Sequence, residues 1–418
     1  MPDTFNGKPN VYDTLKARGY IAQCTHEDEL RALLGRESVT FYQGYDPTAD
    51  SLTTGHLLTL MIHKHMTDAG HRLITLMGTG TGMIGDPTDR NDMRRVMGPD
   101  EVAHNIACFR EQFSRFVNYD DGSAIMEDNG WLLELKWIEF MRDYGVHFNV
   151  NKMLAAECYK NRLQDGLTAF EMSYMIMQAY DFLELNRRYG CRLQLGGSEQ
   201  WGNIIAGIEL ARKVDGVQLY GLTNVLLTAA DGGKMGKSIG NAIWLDANKT
   251  SPYDFYQHWR NTTDAQIEQK LKLFTLLPLE EIADMMTWQG AEINRAKEIL
   301  AYEVTKIVHS EEEAQKAQDA ARALFSGGGK PTSTEEMPTT QIPCGELEVG
   351  INIVILLEKT NLIKSRSEAR QLIAQGGIKV NDIKIATHEH IVTVQAAAPG
   401  EHFLIQKGKK IYHRVVLT

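Results

Sequence analysis

The stretch VTFYQGYDPTADSLTTGH, residues 39–56, decides the fold. Residues 39–46 form an apolar, aromatic run that suits a buried strand. Asp46, Pro47, Asp50 and Ser51 then supply turn chemistry. A helix is predicted from Gly55 to Ala69, and a second strand from Arg72 to Met77. Strand, turn, helix and strand in this order predict a parallel sheet covered on both faces. Ligands on such sheets lie beyond the carboxyl ends of the strands, which is where Thr53-Thr54-Gly55-His56 falls. A helix start offers free N–H donors and a positive dipole end, both suited to phosphate. His56 can donate there, and Gly55 lets a flat group lie against the backbone. A lone histidine at a helix start also fits a cap or a surface position.

Further along, Gly78 to Asp89 is a glycine-rich loop, followed by helical patterns at 101–117, 131–144 and 166–185. A strand at 192–195 leads through Gly196-Gly197-Ser198 into a helix from Trp201 to about Lys213, and Asn224 to Leu227 is strand-like. Lys234-Met235-Gly236-Lys237-Ser238 is a basic loop preceded by Asp231-Gly232-Gly233. Its glycines suit a lid that closes over a polyphosphate, although a solvated hairpin with two surface lysines fits the same residues. From about Ser251 to Phe325 the pattern is helical. A Gly-, Ser-, Thr- and Pro-rich linker covers 326–345, and a mixed module covers 346–418.

Composition narrows the class. Of 418 residues, 43% are hydrophobic and 23% charged, as in ordinary globular proteins. No apolar run reaches the length of a membrane span, and MPDTFNGKPN lacks a secretory core, so a cytoplasmic protein is expected. Five scattered cysteines form no CxxC pair, so no metal site is expected. The net charge of −10 argues against a general nucleic-acid binder. From Glu346 onward, however, ten Lys or Arg stand against seven Asp or Glu, which suggests a local polyanion contact.

Two nucleotide motifs fail on context. Gly80-Thr81-Gly82-Met83-Ile84-Gly85 fits GxGxxG, but Asp86-Pro87 follows where an apolar helix should begin, and a carboxylate there repels pyrophosphate. Gly236-Lys237-Ser238 ends like a P-loop, but Asp231 stands where the leading glycine belongs. The segment 170–183 reads as a nearly all-apolar, buried helix. Tyr174, Gln178 and Asp181 share one stripe of it at i, i+4 and i+7. The stripe suits either an internal hydrogen-bond network or a pocket wall that reads a polar small molecule.

Taken in order, TFYQGYDPTADSL, GMIGDP, SYMIMQAYDF, GGSEQWGN and KMGKS resemble the bacterial-type tyrosyl-tRNA synthetases, which are class I aminoacyl-tRNA synthetases. The resemblance spans essentially the whole chain. It implies an α/β fold: a Rossmann-like catalytic domain over 1–230, a KMSKS-type loop with an α-helical anticodon-binding domain over 231–325, the linker, and a small S4-like α+β RNA-binding domain over 346–418. It implies activation of L-tyrosine with ATP, accompanied by Mg²⁺, and transfer of the tyrosyl group to tRNA(Tyr). A homodimer is implied, with residues about 130–150 as the contact region. The related tryptophan synthetases and a catalytically impaired RNA-binding paralogue are the alternatives.

Carried residue by residue, the resemblance places Tyr42 and Asp181 at the phenolic hydroxyl of tyrosine. Tyr174, Gln178 and Asp86 fall at its ammonium group and Gln200 near its carboxyl end. Gly44, Asp46, Gly55, Gly197 and Glu199 line the adenylate site, while Thr48 and His56 face the phosphates. Lys234, Lys237 and Ser238 belong to the loop that stabilises the leaving pyrophosphate. Lys364, Arg366, Arg370, Lys409 and Lys410 would contact RNA. Two positions depart from the family pattern: Thr53 replaces the first signature histidine, and Glu199 replaces aspartate.

Overall fold

The computed structural model describes residues 4–87, 97–156, 159, 166–226, 242–290, 292–326, 339–363, 365–393, 402–408 and 411–418. The chain divides into two compact units, one of residues 1–250 with 258–310 and one of 251–257 with 311–418. Among the described residues, no helix is long and apolar enough to cross a membrane.

The first unit is built on a six-stranded sheet. Its order is Ile21–Cys24, Tyr220–Asn224, Cys191–Gly197, Thr40–Tyr45, Arg72–Met77, Ala124–Asp128. All neighbours run parallel except the Ile21–Cys24 edge, which is antiparallel to Tyr220–Asn224. Arg72–Met77 reads RLITLM and is buried along nearly its whole length, as a strand covered on both faces must be. Thr40–Tyr45 pairs with Arg72–Met77 on one side and Cys191–Gly197 on the other. The chain therefore leaves this strand in both directions, making its carboxyl end the topological switch point where a ligand crevice opens.

Two helices frame that crevice. Thr54–Asp68 follows the Thr40–Tyr45 strand directly. Ala169–Tyr189 starts at a reciprocal cap, in which Glu171 N–H donates to Thr168 Oγ1 and Thr168 N–H donates to the Glu171 carboxylate. It ends at Gly190, whose φ of +63° suits only a residue without a side-chain penalty. Trp201–Val214 lies close against it: a Cβ at Gly207 would come within 3.1 Å of the Phe182 ring. Ile74, Tyr180, Phe182, Leu183 and Ile204 belong to the core beneath this pair.

Several sequence expectations change. The predicted helix at 131–144 is a 3₁₀ turn, Gly130–Glu134, followed by the short helix Trp137–Asp143. The strand expected at Asn224–Leu227 sits earlier, at Tyr220–Asn224. The GxGxxG run opens no long helix and forms only the 3₁₀ turn Thr81–Met83. After the sheet come the helices Pro252–Arg260, Ile267–Phe274, Leu279–Met285 and Glu292–Val308, then Glu311–Ser326.

In the second unit, a five-stranded sheet has the order Ile383–Lys384, Ile378–Val380, His402–Lys407, Ile411–Leu417, Thr339–Ile342. The last strand lies inside the sequence-derived linker and pairs in parallel with Ile411–Leu417, so the folded module begins before residue 346. With the helices Cys344–Val349, Ile353–Lys359 and Arg366–Ala374 it forms an α+β domain with its own core, including Leu347, Leu356, Phe403 and Val415.

Candidate active site

Two adjoining cavities open at the switch point. One, of about 370 Å³, is lined by Tyr42, Gly44, Asp46, Thr48, His56, Asp86, Tyr174, Gln178, Asp181, Gly197, Glu199 and Gln200 among others. The other, of about 390 Å³, shares Asp46, Thr48, His56, Gly197 and Glu199 and adds Thr53, Gly55, Asn224 and Trp244. Each of the sequence-derived small-molecule residues outside the lysine loop thus lines one cavity or both. Lys234, Lys237 and Ser238 lie outside the described residues, as do Lys364, Lys409 and Lys410.

The first cavity ends in a polar floor. Asp181, on the Ala169–Tyr189 helix, is 2% exposed. Its carboxyl accepts from Asn129 Nδ2 at 2.9 Å and from Trp131 Nε1 at 2.8 Å. Burial pushes its pKa up to about 8 against the opposing pull of these two donors. Asn129 also accepts from Gly80 N–H at 2.7 Å and donates to Thr81 Oγ1, tying the glycine loop to the acid. Tyr42 is buried beside Phe182, and its hydroxyl has no hydrogen-bond partner among the described residues. Burial, and then the Asp181 charge, hold the Tyr42 phenol well above its ordinary pKa. The floor therefore presents a carboxyl and an unused phenol, a combination that suits a ligand hydroxyl able to donate and accept.

In the same cavity a relay of amides ends on Asp86. Gln200 Nε2 donates to Asp86 at 2.6 Å, and Gln178 Nε2 and Asn203 Nδ2 donate to Gln200 Oε1 at 3.2 and 3.1 Å. The Gln178 oxygen is buried with no partner among the described residues. An acceptor left over beside a carboxylate is what a cationic amine would use.

The second cavity is organised by Thr53. Its N–H donates to His56 Nδ1 at 3.1 Å, which leaves the imidazole proton on Nε2. Burial holds the His56 pKa down at about 4, so the ring is neutral near pH 7. Thr53 also pairs as an antiparallel bridge with Trp244, and Thr54 N–H donates to Ile243 O at 3.0 Å. Residues 224–226 and Trp244 both line this cavity, so the segments flanking the lysine loop border the His56 helix start. The Glu199 carboxylate folds back over Gly197, where a Cβ would fall 2.4 Å from its oxygens.

Asn129, Trp131 and Trp244 carry no sequence signal that links them to the site. In the second unit, Arg366 and Arg370 are both exposed on one helix, with Arg366 paired to Glu358 at 2.9 Å. Lys379 and Lys384 face each other across paired strands.

The model of the tRNA synthetases class I (W and Y) matches residues 35–326, and that of the tyrosine–tRNA ligase SYY-like C-terminal domain matches residues 332–415. The tyrosine–tRNA ligase of Acetivibrio thermocellus is 54% identical over 98% of this chain and 100% of its own length. That of Clostridium kluyveri is 53% identical over 98% of this chain and 99% of its own. Among solved structures, the C-terminally truncated mitochondrial tyrosyl-tRNA synthetase of Aspergillus nidulans superposes with a TM-score of 0.69 at 28% identity, covering 77% of this chain and 95% of that one. The tryptophanyl-tRNA synthetase of Encephalitozoon cuniculi shares the fold, with a TM-score of 0.55 at 14% identity over 75% of this chain and 88% of that one. With both domain models in place and identity above one half along nearly the full length, the chain belongs to the W and Y family of class I tRNA synthetases, as a tyrosine–tRNA ligase.

Proposed function

We propose that the first cavity holds L-tyrosine, the second holds ATP, and the two substrates meet at Asp46, Thr48 and His56. The observation that carries this reading is the pairing of the unpartnered Tyr42 hydroxyl with the doubly anchored Asp181. A tyrosine hydroxyl would donate to Asp181 and accept from Tyr42. Phenylalanine would leave the Tyr42 hydroxyl buried without a partner, at a cost of about 1–3 kcal/mol, and Asp181 with Asn129 and Trp131 alone. Asp86, Gln178 and Tyr174 would hold the ammonium group, and Gln200 would hold the carboxyl end near the junction.

The tyrosine carboxylate then attacks the α-phosphate of ATP in line, an O–P bond forms, and pyrophosphate leaves. The terminal ribose hydroxyl of tRNA(Tyr) next displaces AMP from the tyrosyl-adenylate. The nucleophiles belong to the substrates, so the protein contributes positioning and charge stabilisation. His56 Nε2–H, Thr48, Lys234, Lys237 and Ser238 would serve the phosphates, with Mg²⁺ arriving on ATP. Gly44, Gly55 and Gly197 would let the nucleotide approach the backbone, and Glu199 would accept from a ribose hydroxyl.

Tyrosine-dependent exchange of pyrophosphate into ATP tests the assignment. Asp181→Ala is expected to abolish exchange while the protein stays folded, and wild-type exchange in that variant overturns it.

The exposed apolar residues Leu133, Trp137, Ile138, Val146, Val150 and Phe170 support a homodimer through the 130–150 region. Trp137→Asp with Ile138→Asp should then yield a monomer in sedimentation. The C-terminal α+β domain would act as an S4-like RNA contact through Lys364, Arg366, Arg370, Lys409 and Lys410, and the helical segment within 231–325 would meet the anticodon arm. Salt-dependent tRNA binding that weakens with Arg370→Ala is the corresponding measurement.

A further inference from the structure

His63 lies in the middle of the Thr54–Asp68 helix and is fully buried. Its Nε2 is 3.0 Å from Oε1 of Gln43, on the central Thr40–Tyr45 strand. Gln43 lines both cavities and stands at their junction with Asp46, Thr48, His56, Gly197 and Glu199. The His63 ring is held between Phe41 and Tyr45, both with ring centroids 6.1 Å away, which share a strand face with Gln43.

The tautomer of His63 decides which way the Gln43 amide faces. Its Nδ1 is buried with no hydrogen-bond partner among the described residues. A proton on Nδ1 would leave an orphaned buried N–H, which native structures rarely contain. A proton on Nε2 leaves only an unused lone pair. His63 Nε2–H therefore donates to Gln43 Oε1. The amide oxygen is then committed to the helix, and its NH₂ group is left for the cavity. It shares the cavity lining with the carboxylates of Asp46 and Glu199, which can only accept.

We propose that His63 is a positioning residue for the nucleotide, holding the Gln43 carboxamide so that its NH₂ group donates to an oxygen of ATP where the two cavities join. This rests on the assignment of the second cavity to ATP made above. A buried polar pair with a merely structural role would cost stability alone when broken. A positioning pair changes the ATP parameters and leaves the tyrosine parameters in place.

The test is tyrosine-dependent pyrophosphate exchange on the full chain, with ATP and tyrosine varied separately, in His63→Leu, His63→Gln, His63→Asn, Gln43→Leu and the His63→Leu/Gln43→Leu double variant. Loss of one oriented hydrogen bond is expected to lower kcat/KM for ATP about tenfold in His63→Leu and in Gln43→Leu, with KM for tyrosine within about twofold of wild type. The double variant should be no worse than Gln43→Leu alone, because His63 acts through Gln43. His63→Gln places an amide N–H at the reach of Nε2 and should recover most of the loss. The shorter His63→Asn should not, and this contrast stands even where His63→Leu fails to fold. ATP parameters unchanged in Gln43→Leu, equal losses for ATP and tyrosine, additive effects in the double variant, or His63→Asn matching His63→Gln each overturn the proposal. His56→Ala separates the two levels. An ATP defect in His56→Ala without one in Gln43→Leu rejects the proposal and keeps the ATP cavity, while neither variant affecting ATP rejects both.

Discussion

Asn129 Nδ2 lies 2.9 Å from Oδ2 of Asp181, and the same amide accepts from Gly80 N–H. One side chain thus fixes both the acid at the floor of the tyrosine cavity and the loop above it. Asn129→Ala leaves the carboxyl held by Trp131 Nε1 alone and Gly80 N–H unpaired. Exchange kinetics with each amino acid should show kcat/KM for tyrosine falling by about tenfold or more, the cost of one to two kcal/mol of lost orientation. Phenylalanine, which makes no hydroxyl contact, should change less. Equal losses for both amino acids would place the role of Asn129 in stability alone.

His56 is neutral near pH 7, because burial holds its pKa at about 4, and its Nδ1 accepts from Thr53 N–H. Its service to phosphate is therefore that of an N–H donor and not of a cation. His56→Ala should lower exchange about a hundredfold, as removal of one preorganised donor does elsewhere, with tyrosine affinity by equilibrium dialysis unchanged. The wild-type rate should show no loss between pH 6.5 and 8 attributable to His56. A descending limb near pH 6.5 that disappears in His56→Ala would contradict the neutral form.

The elements that positioned the site were legible where period and turn chemistry agreed. Arg72–Met77 is an unbroken apolar run, and Tyr174, Gln178 and Asp181 fall on one helical stripe that lines the cavity. Ala124–Asp128 and Ile21–Cys24 escaped notice because AIMED and IAQC are short and half-polar. Missing the first of these hid Asn129 and Trp131, which follow it and reach Asp181 only through the tertiary fold. Thr339–Ile342 reads TTQI and carries no hydrophobic signal. Its strand identity comes from parallel pairing with Ile411–Leu417, far along the chain. Gln43 and His63 stand on different elements with no shared period, so their contact belongs to packing and not to pattern.

Arg18 is buried and donates to the carbonyls of Lys272, Thr275 and Leu277, while Tyr20 donates to Leu273 O. These carbonyls close the C-terminal end of the Ile267–Phe274 helix, where a cation is also favoured by the helix dipole. Arg18→Met leaves several buried carbonyls without donors and should destabilise the protein by about 3–5 kcal/mol in denaturant unfolding. Arg18→Lys, with one point charge in place of a fork, should recover only part of this. A change below about 1 kcal/mol for Arg18→Met would show that water replaces the guanidinium without penalty.

Four histidines on or next to the Thr54–Asp68 helix are held neutral by burial: His56 and His71 at about 4, and His63 and His65 at about 3. Their folded pKa values lie below the unfolded value of about 6.5. Between that value and the folded ones the unfolded chain binds more protons. Stability is therefore complete above about pH 6.5 and is lost as pH falls, each histidine contributing a slope of up to about 1.4 kcal/mol per pH unit. Asp181, raised to about 8 by burial, has the opposite sign, since its folded form keeps a proton that the unfolded form releases above about pH 4. These four, joined by His258 and His413, which burial also lowers to about 4, outweigh Asp181 and give a net loss toward acid. Unfolding followed at pH 7.5, 6.5, 5.5 and 5 should show stability falling progressively below pH 6.5. His71 Nδ1 accepts from Val39 N–H at 3.2 Å, a role an asparagine oxygen can fill. His71→Asn should therefore flatten the acid slope by about one proton, whatever it does to stability at pH 7.5. An unchanged slope in this variant would mean that His71 titrates alike in the folded and unfolded chain.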